Sequence, residues 1–183
     1  MIILVGASAS GKTEIAKTLM REHGIKKAVT TTTRLPRAGE RDGIDYFFVT
    51  KDEFLRRKAA DSFVETTLYN GNLYGTGKSE IDNRKCLVVD PNGLRSFLAL
   101  HDPTVVTFLL TATEKTRESR MRTRGDKEED IKRRLDNDRK DFDLASMPKT
   151  DFVIATDEKT VEELTTEVLN DYKRVLLERG IDF

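Results

Sequence analysis

The chain of 183 residues is 37% apolar and 35% charged, enough apolar sequence for one core and too much for a disordered chain. Its 32 basic and 32 acidic residues cancel, which argues against a broad basic footprint for nucleic acid or a membrane surface. A single cysteine, Cys86, excludes an intrachain disulfide framework, and His23 and His101 are too few and too isolated for a metal centre.

Taken in order, the chain opens on an apolar strand at residues 2–5, which leaves no room for a signal peptide, and no apolar run approaches the about 20 residues of a membrane span. A cytoplasmic protein is therefore expected. Residues 6–13, GASASGKT, fit G-x-x-x-x-G-K-[ST], the phosphate-binding loop. Gly6 and Gly11 permit the backbone angles that wrap Ala7, Ser8, Ala9 and Ser10 around an anion with N–H groups pointing inward. Lys12 adds a point charge at the terminal phosphates, and the Thr13 hydroxyl can ligate Mg²⁺. A helix over 13–23 follows, with Ile15, Ala16, Leu19 and Met20 on one face and its positive end aimed at the phosphates.

Residues 30–40 are polar and basic, and Pro36 keeps Arg34 and Arg37 on an extended or turning segment. A strand is expected over 44–49, then a capping box at residues 50–53 opening a helix to about 60. Asn70-Gly71 marks a hairpin between apolar runs at 63–69 and 72–74. Residues 30–82 thus read as a small, mostly antiparallel insertion. The core resumes with an apolar strand at 86–90 ending in Asp90, where Pro91 and Gly93 stop it before a helix over 94–101. A strand over 104–110 leads into a highly charged stretch, 113–142, read as two helices joined near Gly125 with Met121, Ile131 and Leu135 as apolar anchors. A strand at 152–155 and a helix from about residue 160 complete an open α/β sheet, which takes ligands at the carboxyl ends of its strands.

With the phosphate loop, the run TRLPRAGERDGIDYFFV at 33–49 and the hairpin in view, the chain resembles the guanylate kinase family over essentially its whole length. The run matches that family's T-R-x-P-R-x-G-E-x-x-G-x-D-Y-x-F-V. The resemblance implies a phosphate-loop α/β/α core with a parallel sheet (1–29, 83–115 and 143–183), an acceptor-binding subdomain (30–82) and a helical lid (116–142). It implies ATP as phosphoryl donor with Mg²⁺, GMP as acceptor, no nucleic-acid or membrane partner, and a monomer or homodimer. Residues 6–13 would then bind ATP. Arg34, Arg37, Tyr46 and Tyr74 would hold the GMP phosphate, and Glu65, Thr30 and Thr76 the guanine edge. Thr13 and Asp90 would hold Mg²⁺, while Lys12, Arg34, Arg120, Arg124 and Arg134 would neutralise charge during transfer.

Each position has a second reading. The tyrosines can be strand packing, Glu65 a solvated strand residue and Asp90 a turn starter. The lid arginines can belong to a solvated helix pair with Glu118–Arg122, Glu129–Arg133 and Asp130–Arg134 at i,i+4. The chain also departs from the family pattern. Ala9 stands for a usual glycine, Val88 for an acidic residue and Thr156 for an asparagine, and the lid is one residue shorter between Gly125 and Arg134. Two other functions therefore stay open: a kinase for another phosphorylated acceptor, such as a deoxynucleotide or pentose phosphate, and a non-catalytic interaction module.

Overall fold

The structure, a computed structural model, describes residues 1–143 and 146–183; residues 144 and 145, within the third expected core segment, lie outside the described residues. In chain order the elements are β1 (Ile2–Val5), α1 (Lys12–Glu22), β2 (Lys26–Lys27), β3 (Thr31–Thr32), β4 (Phe47–Phe48), α2 (Lys51–Ala59), β5 (Phe63–Tyr69) and β6 (Asn72–Gly77). A single 3₁₀ turn at Lys78–Glu80 leads to β7 (Lys85–Val88), α3 (Pro91–Leu98), β8 (Val106–Thr111), α4 (Glu114–Thr123), α5 (Glu128–Asp141), β9 (Phe152–Ala155) and α6 (Val161–Glu178).

The larger sheet runs β2-β7-β1-β8-β9, all parallel, with β1 at its centre. Alternation along β1 sets the layers, because successive strand side chains leave opposite faces. Ile2 and Leu4 pack with Ile15 and Leu19 of α1 and with Leu164, Val168 and Tyr172 of α6. Met1, Ile3 and Val5 pack on the other face with Leu94 and Phe97 of α3. Burial on both faces explains the unbroken apolar runs of the core strands. The second sheet, β4-β3-β6-β5, pairs antiparallel except for β3 with β4. Its hairpin turns at Asn70 (φ 47°) and Gly71 (φ 75°), the two positive angles that a two-residue turn matched to strand twist requires.

Four local expectations are corrected. The strand expected over 44–49 shrinks to β4, because the Asp42 and Asp45 carboxylates accept the Phe48 and Arg41 N–H groups (2.9 and 2.7 Å) and draw the backbone into a turn. The box at Thr50 is half formed: Thr50 accepts the Glu53 N–H, but the Glu53 carboxylate turns to Arg56 and Arg57. Helix α3 begins at Pro91 rather than 94, since proline lacks only an N–H that would be unpaired in the first turn and Asp90 caps the helix by accepting the Gly93 N–H at 2.7 Å. Of the three i,i+4 pairs expected on the lid, Glu118–Arg122 forms (2.7 Å), whereas Arg133 pairs with Asp130 at i,i+3 and Arg134 with Asp126 at 3.7 Å.

Candidate active site

The phosphate loop closes on itself around Lys12. Its Nζ donates to the carbonyls of Gly6 (2.6 Å) and Ala7 (2.7 Å) and lies 3.4 Å from the Ser10 hydroxyl. Burial lowers the Lys12 pKa from 10.5 to about 8; Asp138 opposes that shift and Arg117 adds to it. Ala9 sits at φ 59°, a left-handed angle that costs alanine about 1 kcal/mol relative to glycine. Its methyl group packs against the cluster of Met121, Ile131 and Leu135, the small core shared by α4 and α5, so the departure from glycine places a contact with these helices on the loop.

The lowered pKa gives a testable sign. A bound triphosphate favours the ammonium form of Lys12 and raises its pKa. Nucleotide binding near pH 8.5 should therefore take up protons, and affinity should weaken as pH rises through about 8. Titration calorimetry in two buffers of different ionisation enthalpy measures this, and an identical heat in both would contradict it.

Two cavities open near the carboxyl ends of the central strands. One, of about 350 Å³, is lined by Gly11, Lys12, Thr13, Arg120, Arg124 and Thr156 among others. The other, of about 300 Å³, gathers Thr30, Glu65, Tyr74, Thr76, Val88 and Asp90. Register explains part of this second grouping: Glu65 on β5 lies opposite Thr76 on β6, and its carboxylate accepts both the Thr76 N–H (3.0 Å) and hydroxyl (2.7 Å). Burial raises the pKa of Glu65; the bonds from Thr76 oppose this, and Asp90 adds its repulsion. Asp90 thus faces the Glu65 cavity rather than the phosphate-loop cavity, with one oxygen held by the Gly93 N–H. Val88 is 38% exposed on the lining of the same cavity and puts an apolar surface at the position where the family pattern has an acidic residue.

The basic run is organised by Glu40. Its carboxylate accepts from Arg34 Nη2 (2.8 and 3.0 Å) and from the Arg37 backbone N–H (2.7 Å). The Arg34 guanidinium also stands 5.3 Å from the Tyr46 ring centre, and Tyr46 meets Tyr74 edge-on at 6.1 Å. Arg34, Tyr46 and Tyr74 are thereby brought together, while the Arg37 side chain is exposed beside them. On α4, Arg120 donates to the Ala9 carbonyl (3.2 Å) and to both oxygens of Thr156. Thr156 in turn donates to the Ser10 carbonyl (3.1 Å), so its hydroxyl is engaged by the protein. Asp126 pairs with both Arg124 and Arg134. Arg124 lines the phosphate-loop cavity, and Arg134 is not among its lining residues.

Sequence reasoning did not single out Asp126, Arg117 or Asp138. The last two form a buried ion pair at 2.6 Å against Ser8. Within a stretch this charged, nothing in the spacing separates a buried pair from a solvated one. Among the described residues there is no group of three or more His, Cys, Asp or Glu side chains placed to hold a metal ion, and no helix is long and apolar enough to cross a membrane.

A parallel sheet whose central strand runs into a glycine-cornered loop, with a second polar cavity nearby, defines the class of phosphate-loop nucleotide-binding α/β proteins. The guanylate kinase family model matches residues 1–172. The guanylate kinase of Schizosaccharomyces pombe is 36% identical across 93% of this chain and 90% of its own length, and that of Fusobacterium nucleatum is 32% identical across 99% and 97%. The crystal structure of guanylate kinase from Anaplasma phagocytophilum superposes with a TM-score of 0.59 at 26% identity, over 94% of this chain and 85% of that one. The chain belongs to the guanylate kinase family.

Proposed function

We propose that the phosphate-loop cavity holds ATP, that the Glu65 cavity holds GMP, and that the γ-phosphoryl group passes from one to the other. Membership of the family makes the protein an ATP-dependent GMP kinase. The observation that supports the placement is the pairing of a cationic loop cavity with a separate cavity whose half-buried carboxylate faces hydroxyls.

Catalysis in such a site is positioning plus electrostatic stabilisation of an in-line transfer. Gly6, Ala7, Ser8, Ala9, Ser10 and Gly11 would offer backbone N–H groups to ATP, and Lys12 would leave its carbonyl partners for the terminal phosphates. Arg120, Arg124 and Arg134 would supply positive charge from the lid, with Asp126 holding the last two until nucleotide displaces it. Arg34 and Arg37 would grip the GMP phosphate, with phenolic hydrogen bonds from Tyr46 and Tyr74. Glu65 would accept the guanine N1–H and 2-amino hydrogens, donors that adenine lacks, and Thr30 and Thr76 would complete the contact.

Mg²⁺ fits the donor set: hard oxygens, few from protein and the rest from phosphate and water. The Thr13 hydroxyl and the second oxygen of Asp90 are the groups that would hold it, and the ion would supply charge neutralisation on the transferred phosphoryl. The segments 30–82 and 116–142 would serve as acceptor subdomain and lid, closing to exclude water. We place the protein in the cytoplasm, as a monomer or homodimer acting on these small nucleotides.

Glu65→Gln tests the acceptor site. It puts an amide donor or a weaker acceptor against guanine donors, and a charged hydrogen bond contributes about 1.5–3 kcal/mol. Turnover of GMP (kcat/KM) should fall by roughly 10- to 100-fold with ATP binding unchanged. An unchanged GMP profile would remove Glu65 from the site. In the wild-type protein, coupled ADP release with AMP, CMP or UMP at the rate seen with GMP would overturn guanine selectivity and return Val88 to the question.

A further inference from the structure

We infer that Asp138 of α5 is a positioning residue for the phosphate loop, held in place by Arg117 of α4, so that the base of the lid is built into the donor phosphate site. The inference rests on the reading of the phosphate-loop cavity as the ATP site.

Asp138 Oδ2 accepts the Ser8 backbone N–H at 3.0 Å, and Oδ1 accepts the Ser8 hydroxyl at 3.1 Å. Ser8 lies 130 residues away in sequence, in the middle of the loop. The Arg117 guanidinium closes on the same Oδ2 at 2.6 Å and also reaches the Ser8 carbonyl at 3.4 Å. Both partners are deeply buried, with side chains 8% and 9% exposed. A carboxylate in that setting is tolerated only when its charge is paired and its lone pairs are taken up. Here Arg117 supplies the countercharge and Ser8 supplies two donors.

The pair matters because little else fixes the lid helices to the loop. The α4–α5 core has three buried side chains, Met121, Ile131 and Leu135, contributing roughly 5–9 kcal/mol before any ordering cost. That is modest for helices of 10 and 14 residues. The remaining ties, Arg120 to the Ala9 carbonyl and the Ala9 methyl on the lid core, reach the loop one residue further on. Ser8 and Ala9 are thus both oriented from the lid, and the carboxylate anchors the amide of Ser8 before nucleotide arrives.

The test separates positioning from stability. Replacing a buried ion pair with apolar groups of similar volume is often neutral in stability, whereas removing one partner is not. The double variant Arg117→Met/Asp138→Leu should therefore melt close to wild type while leaving Ser8 without its acceptors. Its KM for ATP should rise at least ten-fold, with KM for GMP within two-fold of wild type. Asp138→Asn should show the same split with a lowered Tm, and Asp136→Asn, half-exposed on the same helix, should change neither constant. Wild-type KM for ATP in a folded double variant would overturn the inference, as would an equal rise in both constants. If the double variant does not fold, the split is read from Asp138→Asn at a temperature where its circular dichroism is native, with the same criteria. A wild-type protein that failed to bind ATP would instead overturn the reading of the cavity itself.

Discussion

Lys12→Ala should abolish measurable phosphoryl transfer, lowering kcat/KM by about 10²–10³-fold or more, while the protein remains folded. The Lys12 ammonium is the cation the loop itself provides, and it is lodged against the Gly6 and Ala7 carbonyls from which it would swing to the phosphates. Its removal takes a preorganised positive charge from a half-buried site, where effective dielectric is low and each charge counts for more than in water. Fold loss should be small, because Lys12 is half-buried on the wall of the 350 Å³ cavity and is not part of the apolar core. Coupled ADP release with Mg·ATP and GMP, beside a melting curve, provides the measurement. Activity within ten-fold of wild type would mean that the loop does not carry the transferred phosphate.

Gly6→Ala should damage the fold and the site together. A Cβ at this position would lie 2.3 Å from the Leu110 carbonyl oxygen and 2.7 Å from the Ser10 hydroxyl. The first contact is backbone in β8, next to the central strand, and cannot move without shifting the sheet; the second is a buried loop side chain. We expect a loss of at least about 3 kcal/mol, and hence roughly 6–12 °C in Tm for a chain of this size, together with loss of ATP binding. Gly11→Ala is the instructive contrast. Its φ of +97° disfavours a side chain, yet the nearest atom to an added Cβ is Ile15 Cδ1 at 4.0 Å. Strain without collision should cost less, about 1–2 kcal/mol. Equal melting temperatures for the Gly6 and Gly11 variants would show that the close approach to β8 is not what fixes the loop.

These expectations divide along the line between local and distant causes. The sequence by itself determined the phosphate loop, the helix behind it, the Asn70-Gly71 hairpin and the core strands, because each is written in contiguous residues whose spacing or backbone preference has one structural solution. It also marked Met121, Ile131 and Leu135 as apolar anchors among many charges, and these assemble into the small core shared by α4 and α5. The family motif at 33–49 named Arg34, Arg37 and Tyr46, but not that Glu40 would hold both arginine segments in register.

Tertiary structure alone decided which charges are buried and what they face. Arg117 and Asp138 are 21 positions apart and look like any other members of a solvated stretch until two helices cross against the loop. Asp90 reads from the sequence as a carboxylate at a strand end, and the packing of α3 also makes it a helix cap whose cavity is the one that holds Glu65. Thr156 is committed to Arg120 and Ser10, a role no local pattern encodes. Local preferences fix backbone conformation over a few residues, whereas the partner of a charged side chain is chosen by desolvation, which depends on what the whole chain brings beside it.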